Sequence, residues 1–517
     1  MEILAVFLAC LPVILIFGLL VVTHKAADIS GLIGWGCTVI VAWLYFQTPL
    51  SILIKISTAG VLASLPITLM VAASILQITF LLEIGAIKRI VVLMKTISPH
   101  NQIVQIMIIN IGFGTMLAAL GATPVSILPP IMLALGYSSF IAIALPAIGY
   151  DSLTTYALLG IPVVVFANFV GQPVEAVGGL FARYMPVVTT CIGMGMLWIV
   201  GGWKMIWKGL VPTLLAGATA GLIAIAMNAI GLITITGIAA GLGVIFVMML
   251  YLKCTGQILV DRSHLSTADQ ITEKEFPLWK ATSPWIVLTF FALLVNAPFL
   301  PFFELTFSKW ALPLEIIPGA AEKLRIFWQA YFWILVSTLA VLPLLKPSTS
   351  QLKTTAKKWL KRAPRPMLAS AVFFAIAFIY NHSGKNLQWE LVQPSLNMVQ
   401  VLAGAAAAGF GNFYPLIAPF MGLFGGFISG SETSAIAMLT ALHLSTAQKI
   451  GAAGLLIAAA SGIGGGLASV ISPAKLQNAA ASIDKIGEET KVIPVAAIIS
   501  LIITLIVALM TLYWAFQ

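Results

Sequence analysis

Glu432 stands in "FISGSETSAI" (427–436), between the charge-free runs "LIAPFMGLFGGFI" and "AIAMLTALHL". The hydroxyls of Ser429, Ser431, Thr433 and Ser434 surround it. A carboxylate in such company is costly unless it faces the protein interior or a watery path. Two chemistries fit the spacing. As a cap, Glu432 would bond free amides at the start of the helix that follows. As part of a site, the amides and hydroxyls of 429–434, Gly430 included, would form an anion cradle with Glu432 beside it as a proton- or cation-coupling group. A second acid, Asp151 in "GYDSLTTYALLG", has Ser152, Thr154, Thr155 and Tyr156 as neighbours and fits a water-facing structural role or a proton relay. In "SVISPAKL", Lys475 would contact a substrate carboxylate or snorkel to an interface, and Ser472 offers a further hydroxyl. No H-E-x-x-H, G-x-S-x-G or Cys/His cluster occurs, so nucleophilic and metal chemistry have no anchor. Neither enzyme activity nor a metal or cofactor is expected.

The elements that must hold these residues are membrane helices. Of 517 residues, 60% are hydrophobic and 9% charged, against roughly 25% charged in a soluble domain. Apolar runs of about 20 residues recur throughout, each long enough to cross a bilayer. The first, 3–23, lacks a basic flank and a small-residue cleavage site, which predicts a retained span. The net charge of +10 does not point to nucleic acid, because it is gathered beside span ends. Seven Lys/Arg lie between Lys346 and Arg365, and Lys88, Arg89, Lys95, Lys204 and Lys208 occupy short gaps between spans. Such clusters mark cytoplasmic loops. Cys10, Cys37, Cys191 and Cys254 have no metal-ligand spacing and read as packing residues. An interfacial pair is expected for Glu83 with Lys88, and packing or interfacial roles for His382 and His443, both placed near span ends.

With the basic loops inside, spans near 3–23, 30–47, 58–82, 187–203, 210–228, 231–252, 284–299, 326–345, 367–381 and 492–515 weave consistently. Two proline-broken crossings, at Pro162 and Pro473, bring the total to about twelve, with both termini outside. Two stretches behave differently. In 103–136, "GATPVSILPP" sets Gly121, Pro124, Pro129 and Pro130 where a helix interior would be, and proline there costs about 3 kcal/mol. Lipid-facing breaks would strand backbone polar groups, so the break must lie within protein or a wet cavity. This predicts a re-entrant hairpin with a turn at 121–126, offering Thr123 and Ser126 at its tip. The stretch 412–444 has the same form, with its tip at 429–434. Each hairpin is followed by a broken span, and the first starts inside while the second starts outside. That order predicts an inverted repeat, 1–252 and 284–517 joined by a cytoplasmic linker 253–283, with the site where the discontinuous elements meet. The expected fold is therefore an all-α polytopic membrane protein of about twelve helices plus two re-entrant hairpins.

"SGSETS", "GGGLASVISPAKLQNAAA" and "GATPVSI" followed by "LGIPVVV" resemble the signature regions of the bacterial L-lactate permeases. The agreement in order covers most of the chain. The resemblance implies import of L-lactate, D-lactate, glycolate or a related 2-hydroxymonocarboxylate with protons across the inner membrane. It also implies a superfamily of ion transporters built from inverted repeats with paired re-entrant hairpins. Implied partners are a small organic anion, H⁺ and the lipid bilayer; the oligomeric state, a homodimer included, stays open, as does Na⁺ in place of H⁺. Two positions depart from the family pattern. Glu432 replaces an aspartate, and Ser469 stands where the family tends to carry a lysine shortly before "ISP", leaving Lys475 or the tip amides to substitute. A carrier for a dicarboxylate or sulfonate, and an anion channel, are the competing readings.

Overall fold

The computed structural model describes residues 2–517 except 24, 99, 122, 264, 297–299 and 486. The chain is an all-α membrane protein. Among the described residues, twelve helices are long and apolar enough to cross a membrane, as the recurrence of apolar runs predicts. The helices Ile3–Leu19 and Ala330–Leu345 are apolar but shorter. The end of the span expected at 284–299 falls partly outside the described residues. One two-stranded sheet, β1 (Leu312–Ile317) against β2 (Ala320–Leu324), interrupts the helical pattern. It lies in the segment read as an external loop, where alternation over a few residues is too short a signal to foretell pairing.

The segments read as cytoplasmic meet one another. Lys95 pairs with Asp269 at 2.8 Å, Arg89 and Arg262 share Glu273 at 3.2 and 3.4 Å, and Arg365 reaches Asp28 at 3.2 Å. Glu83 pairs with Lys358 rather than with Lys88. The reason is geometric: Glu83 ends the helix Leu50–Glu83, and the basic helix Thr349–Arg362 runs along that end, with Gln351 donating to the Glu83 carbonyl and Trp359 to that of Ala72. A charge five positions away along the chain is no match for one brought alongside by packing.

Both sequence-expected hairpins are helix–turn–helix pairs. In the first, an arm from Gln102 to Ala119 carries a π-helical stretch, Met107–Phe113, and turns at Gly121, whose φ is +83°. Residue 122, within the expected turn 121–126, lies outside the described residues. The return arm is Pro124–Ala134, so the turn is shorter than the prolines suggested. Pro124 takes the first helical turn, where its missing N–H has no partner to lose. Pro129 and Pro130 are accommodated inside the helix. The second hairpin joins Tyr414–Ser429 to Glu432–Ile450. Gly430 closes the first arm in the left-handed region, φ +67°, and Ser431 caps the second by accepting the Ser434 amide at 3.4 Å. These are ordinary helix-end devices.

Each hairpin precedes a broken span. Ser139–Tyr150 gives way to a 3₁₀ turn, Asp151–Tyr156, before Ala157–Val170. Leu158, Leu159 and Gly160 are all left-handed, with φ of +54°, +56° and +76°. Two leucines in that region carry strain that surrounding structure must hold. The second break separates Gly454–Leu467 from Pro473–Ser482 by a 3₁₀ turn, Ser469–Ile471.

Packing depends on close approaches. A Cβ on Gly60 would lie 2.7 Å from the Ala375 Cα, where Leu50–Glu83 crosses Pro364–His382. Helices in membranes associate through such small-residue contacts because lipid supplies no hydrophobic drive between them. Gly60→Leu should lower stability by about 1–3 kcal/mol through overpacking, seen as earlier thermal aggregation in detergent. Gly404→Ala, at a position with open space around it, should not.

Candidate substrate and coupling site

The second broken span is the hub to which the other discontinuous elements attach. The Val470 amide donates to Asp151 Oδ2 at 3.2 Å, so the break of one span rests on the break of the other. The second hairpin's tip lies against the same turn: a Cβ on Gly430 would come 3.3 Å from Ser472 Oγ. The first hairpin is tied to the segment after the break, where Asn478 Nδ2 donates to Ser126 Oγ at 2.9 Å. Breaking a helix frees backbone amides and carbonyls inside the protein without admitting lipid, which is why four elements converge here.

Glu432 opens the return arm and is buried. Its Oε1 accepts from Thr155 Oγ1 at 2.6 Å, across 277 positions of sequence. Among the described residues its Oε2 makes no hydrogen bond of good geometry, with the Thr154 hydroxyl beside it. Gly466 faces it from the second broken span: a Cβ there would lie 2.6 Å from Oε2 and closer still to Thr154 Oγ1. The capping reading is thus not the geometry adopted, since the carboxylate reaches to another element while Ser431 caps the helix. Placement at the helix's first turn still favours its negative charge.

The remaining residues divide. Ser429, Thr433, Ser434 and Ser472 are buried, while Thr123, Ser126 and Ser431 are half-buried. Ser429 Oγ donates to the Gly425 carbonyl at 2.8 Å, and so is engaged in the arm itself. Ser434 Oγ and Asp151 Oδ1 are buried, and neither makes a hydrogen bond of good geometry among the described residues. Lys475 does not snorkel: its Nζ donates to Ser469 Oγ at 2.6 Å and stands 4.4 Å over the Tyr150 ring. The ammonium therefore arrives in the stretch before "ISP", where the resemblance leads one to expect a lysine and Ser469 stands instead. Among the described residues, Lys475 makes no ion pair within 4 Å with either carboxylate, and no three of His, Cys, Asp and Glu gather as metal ligands.

Sequence reasoning noted Thr154 and Thr155 only as neighbours of Asp151, and missed Gly466, the Val470 amide, Tyr150 and Asn478. The density of glycines in "GIGGGLASVISP" was the available signal for close approach. His443 takes the packing role expected of it. It lies within the helix Glu432–Ile450, fully buried, with Nδ1 2.7 Å from Tyr414 OH and Nε2 2.7 Å from Ser461 Oγ.

A model of the L-lactate permease family matches residues 5–516. The chain belongs to the L-lactate permease family. It is 24% identical to the L-lactate permease of Escherichia coli (strain K12) over 98% of this chain and 95% of that protein. It is 23% identical to the glycolate permease GlcA of the same strain, over 99% and 96%, and to the L-lactate permease of Bacillus subtilis (strain 168), over 97% and 94%. Family and helices together make it a multi-pass permease of the bacterial inner membrane.

Two substitutions test the geometry. Thr155→Val removes the donor to Glu432 and leaves a buried charged acceptor short of a bond, so uptake should fall roughly tenfold or more while Thr155→Ser retains it. Gly466→Ala should likewise cut uptake without loss of yield or of thermal stability, because its methyl displaces the carboxylate rather than the helix. Measured uptake in vesicles, alongside protein yield, decides both.

Proposed function

We propose that this permease imports L-lactate or a related 2-hydroxymonocarboxylate, glycolate and D-lactate included, together with protons by alternating access. The observation that carries the reading is the buried Glu432, held by Thr155 of a separate broken span with Oε2 beside the Thr154 hydroxyl. Relatives over nearly the full length are named for lactate and glycolate. On this reading the chain is a carrier, not an enzyme. Its halves, 1–252 and 284–517, are inverted repeats joined by 253–283, and the hairpins 102–134 and 414–450 are re-entrant gates on opposite sides.

The chemistry follows from the residues. Lys475 is the fixed positive charge that meets the substrate carboxylate, leaving Ser469 and the face of Tyr150 to do so. Thr123 and Ser126 at one tip, and Ser431, Thr433, Ser434, Ser472 and the amide of Gly430 at the other, orient the carboxylate and its neighbouring hydroxyl. Ser429 shapes the second tip by bonding its own arm. Glu432 takes the transported proton at Oε2. Neutralising it lowers the cost of carrying the loaded site through a low-dielectric interior. Asp151, fixed by the Val470 amide, balances Lys475 when no substrate is bound.

Glu432→Gln should abolish uphill, pH-driven uptake yet leave exchange of internal for external substrate partly intact, since exchange need not discharge the proton. Equal loss of both in proteoliposomes would turn Glu432 into a binding residue. A site that pairs a substrate hydroxyl penalises an analogue without one, because its own buried groups are left unsatisfied. Lactate and glycolate should therefore compete for uptake at least roughly tenfold better than propionate and acetate, a gap of about 1.4 kcal/mol. Succinate outcompeting lactate would refute the monocarboxylate reading and favour a dicarboxylate carrier.

A further inference from the structure

On the side of the molecule opposite the clustered ion pairs, the helices Leu50–Glu83, Ala157–Val170, Pro364–His382 and Glu432–Ile450 line a cavity of about 350 Å³. Ala441, on its wall, stands about 14 Å beyond Glu432 along the same helix at 1.5 Å per residue. Val165 and Phe169 line it from the helix that follows Thr155. The cavity thus shares two of its four helical walls with the elements that hold the carboxylate centre.

Its roof is the β-hairpin, which contributes Leu314, Ile316, Ile317 and Glu322. A two-stranded hairpin is marginally stable alone, and this one is held at its base. Arg325 Nε donates to the Phe307 carbonyl at 3.1 Å, its guanidinium lies 4.0 Å over the Phe307 ring, and Trp310 meets Phe327 edge-on. A bulge between Leu314 and Ile317 breaks the ladder, and Ile317 is buried where its neighbours are not. Asn381 lines the wall as well, with its Oδ1 turned away from the open space and, among the described residues, without a hydrogen bond. Burial raises the affinity of the Glu322 carboxyl for a proton, with Arg325 opposing, so the roof presents less negative charge to an arriving anion than its sequence implies.

We propose that the hairpin 312–324 is the external lid of the transport route and that the cavity beneath it is a reception site for a short hydroxy acid. The acid meets the Asn381 side-chain amide, and its alkyl part rests against Val165 and Phe169 before it moves inward. The ligand's identity rests on the carrier reading above; the lid does not.

The test uses right-side-out vesicles and the full chain with its native cysteines replaced, a background whose uptake is measured first. Ala63→Cys and Leu314→Cys, both lining the cavity, are bridged by a short bifunctional thiosulfonate. Labelled lactate uptake should fall about tenfold and return on reduction, a loss that equals about 1.4 kcal/mol, while singly substituted chains treated alike keep their uptake. Unchanged uptake in the bridged protein overturns the lid. A second measurement needs no transport. Ala441→Cys should react with an impermeant maleimide from outside, saturating lactate should slow that reaction about threefold or more, and Asn381→Leu should remove the protection without changing the unprotected rate. Labelling indifferent to lactate overturns the reception site. A chain that moves no hydroxy acid, yet whose Ala441→Cys is shielded by lactate, sinks the carrier reading and leaves the site standing.

Discussion

The hydrogen bond from Thr155 to Glu432 sets the terms for much of the surrounding architecture. A carboxylate at that depth has no water to solvate it, so its partners must come from the protein. Continuous helices have none to offer, because their backbone groups are already bonded internally. The fold meets the requirement by interrupting two spans at the same depth and laying one break on the other, Asp151 against the Val470 amide. Hydroxyls and amides from four elements can then face inward, and among the described residues one oxygen of each carboxylate makes no hydrogen bond of good geometry.

Close packing is the second condition. Glu432 and Thr154 can both face the second broken span only because residue 466 has no side chain. The same holds where the arm Tyr414–Ser429 presses on Gly454–Leu467, with Gly422, Gly426 and Gly464 each opposite backbone atoms of the other helix. Opposite them in the architecture, the left-handed run 158–160 carries strain directly after the first break. Small residues bring the second break in close, and strained ones turn the first towards it. Together they make the meeting point a defined place rather than a loose crossing.

Membership of the L-lactate permease family rests on the whole chain, whereas the details of charge are particular to this member. Lys475 reaches back to Ser469, so an ammonium occupies the neighbourhood although the residue supplying it sits beyond the proline. Ion pairs cluster where Lys95, Arg89 and Arg262 meet Asp269 and Glu273, whereas the hairpin is anchored by aromatic and cation–π contacts.

What the sequence determined by itself was the class of solvent and the places where helices fail. Hydropathy and charge spacing are local properties, so the spans, both hairpins and both proline breaks were legible, as was the importance of Glu432, an acid with no local reason to exist. Boundaries suffered where a signal was ambiguous: the turn read at 121–126 gives way to the return helix already at Pro124, because proline suits a first helical turn. Only the tertiary structure decided which residues meet. Thr155 with Glu432, Asp151 with Val470, Asn478 with Ser126 and Glu83 with Lys358 are pairings across hundreds of positions, and no periodicity along a chain encodes them. The same reason hid the hairpin over the outer cavity. A hydrogen bond depends on distance in space, and in a bundle of long helices that distance is set by which glycines let which helices touch.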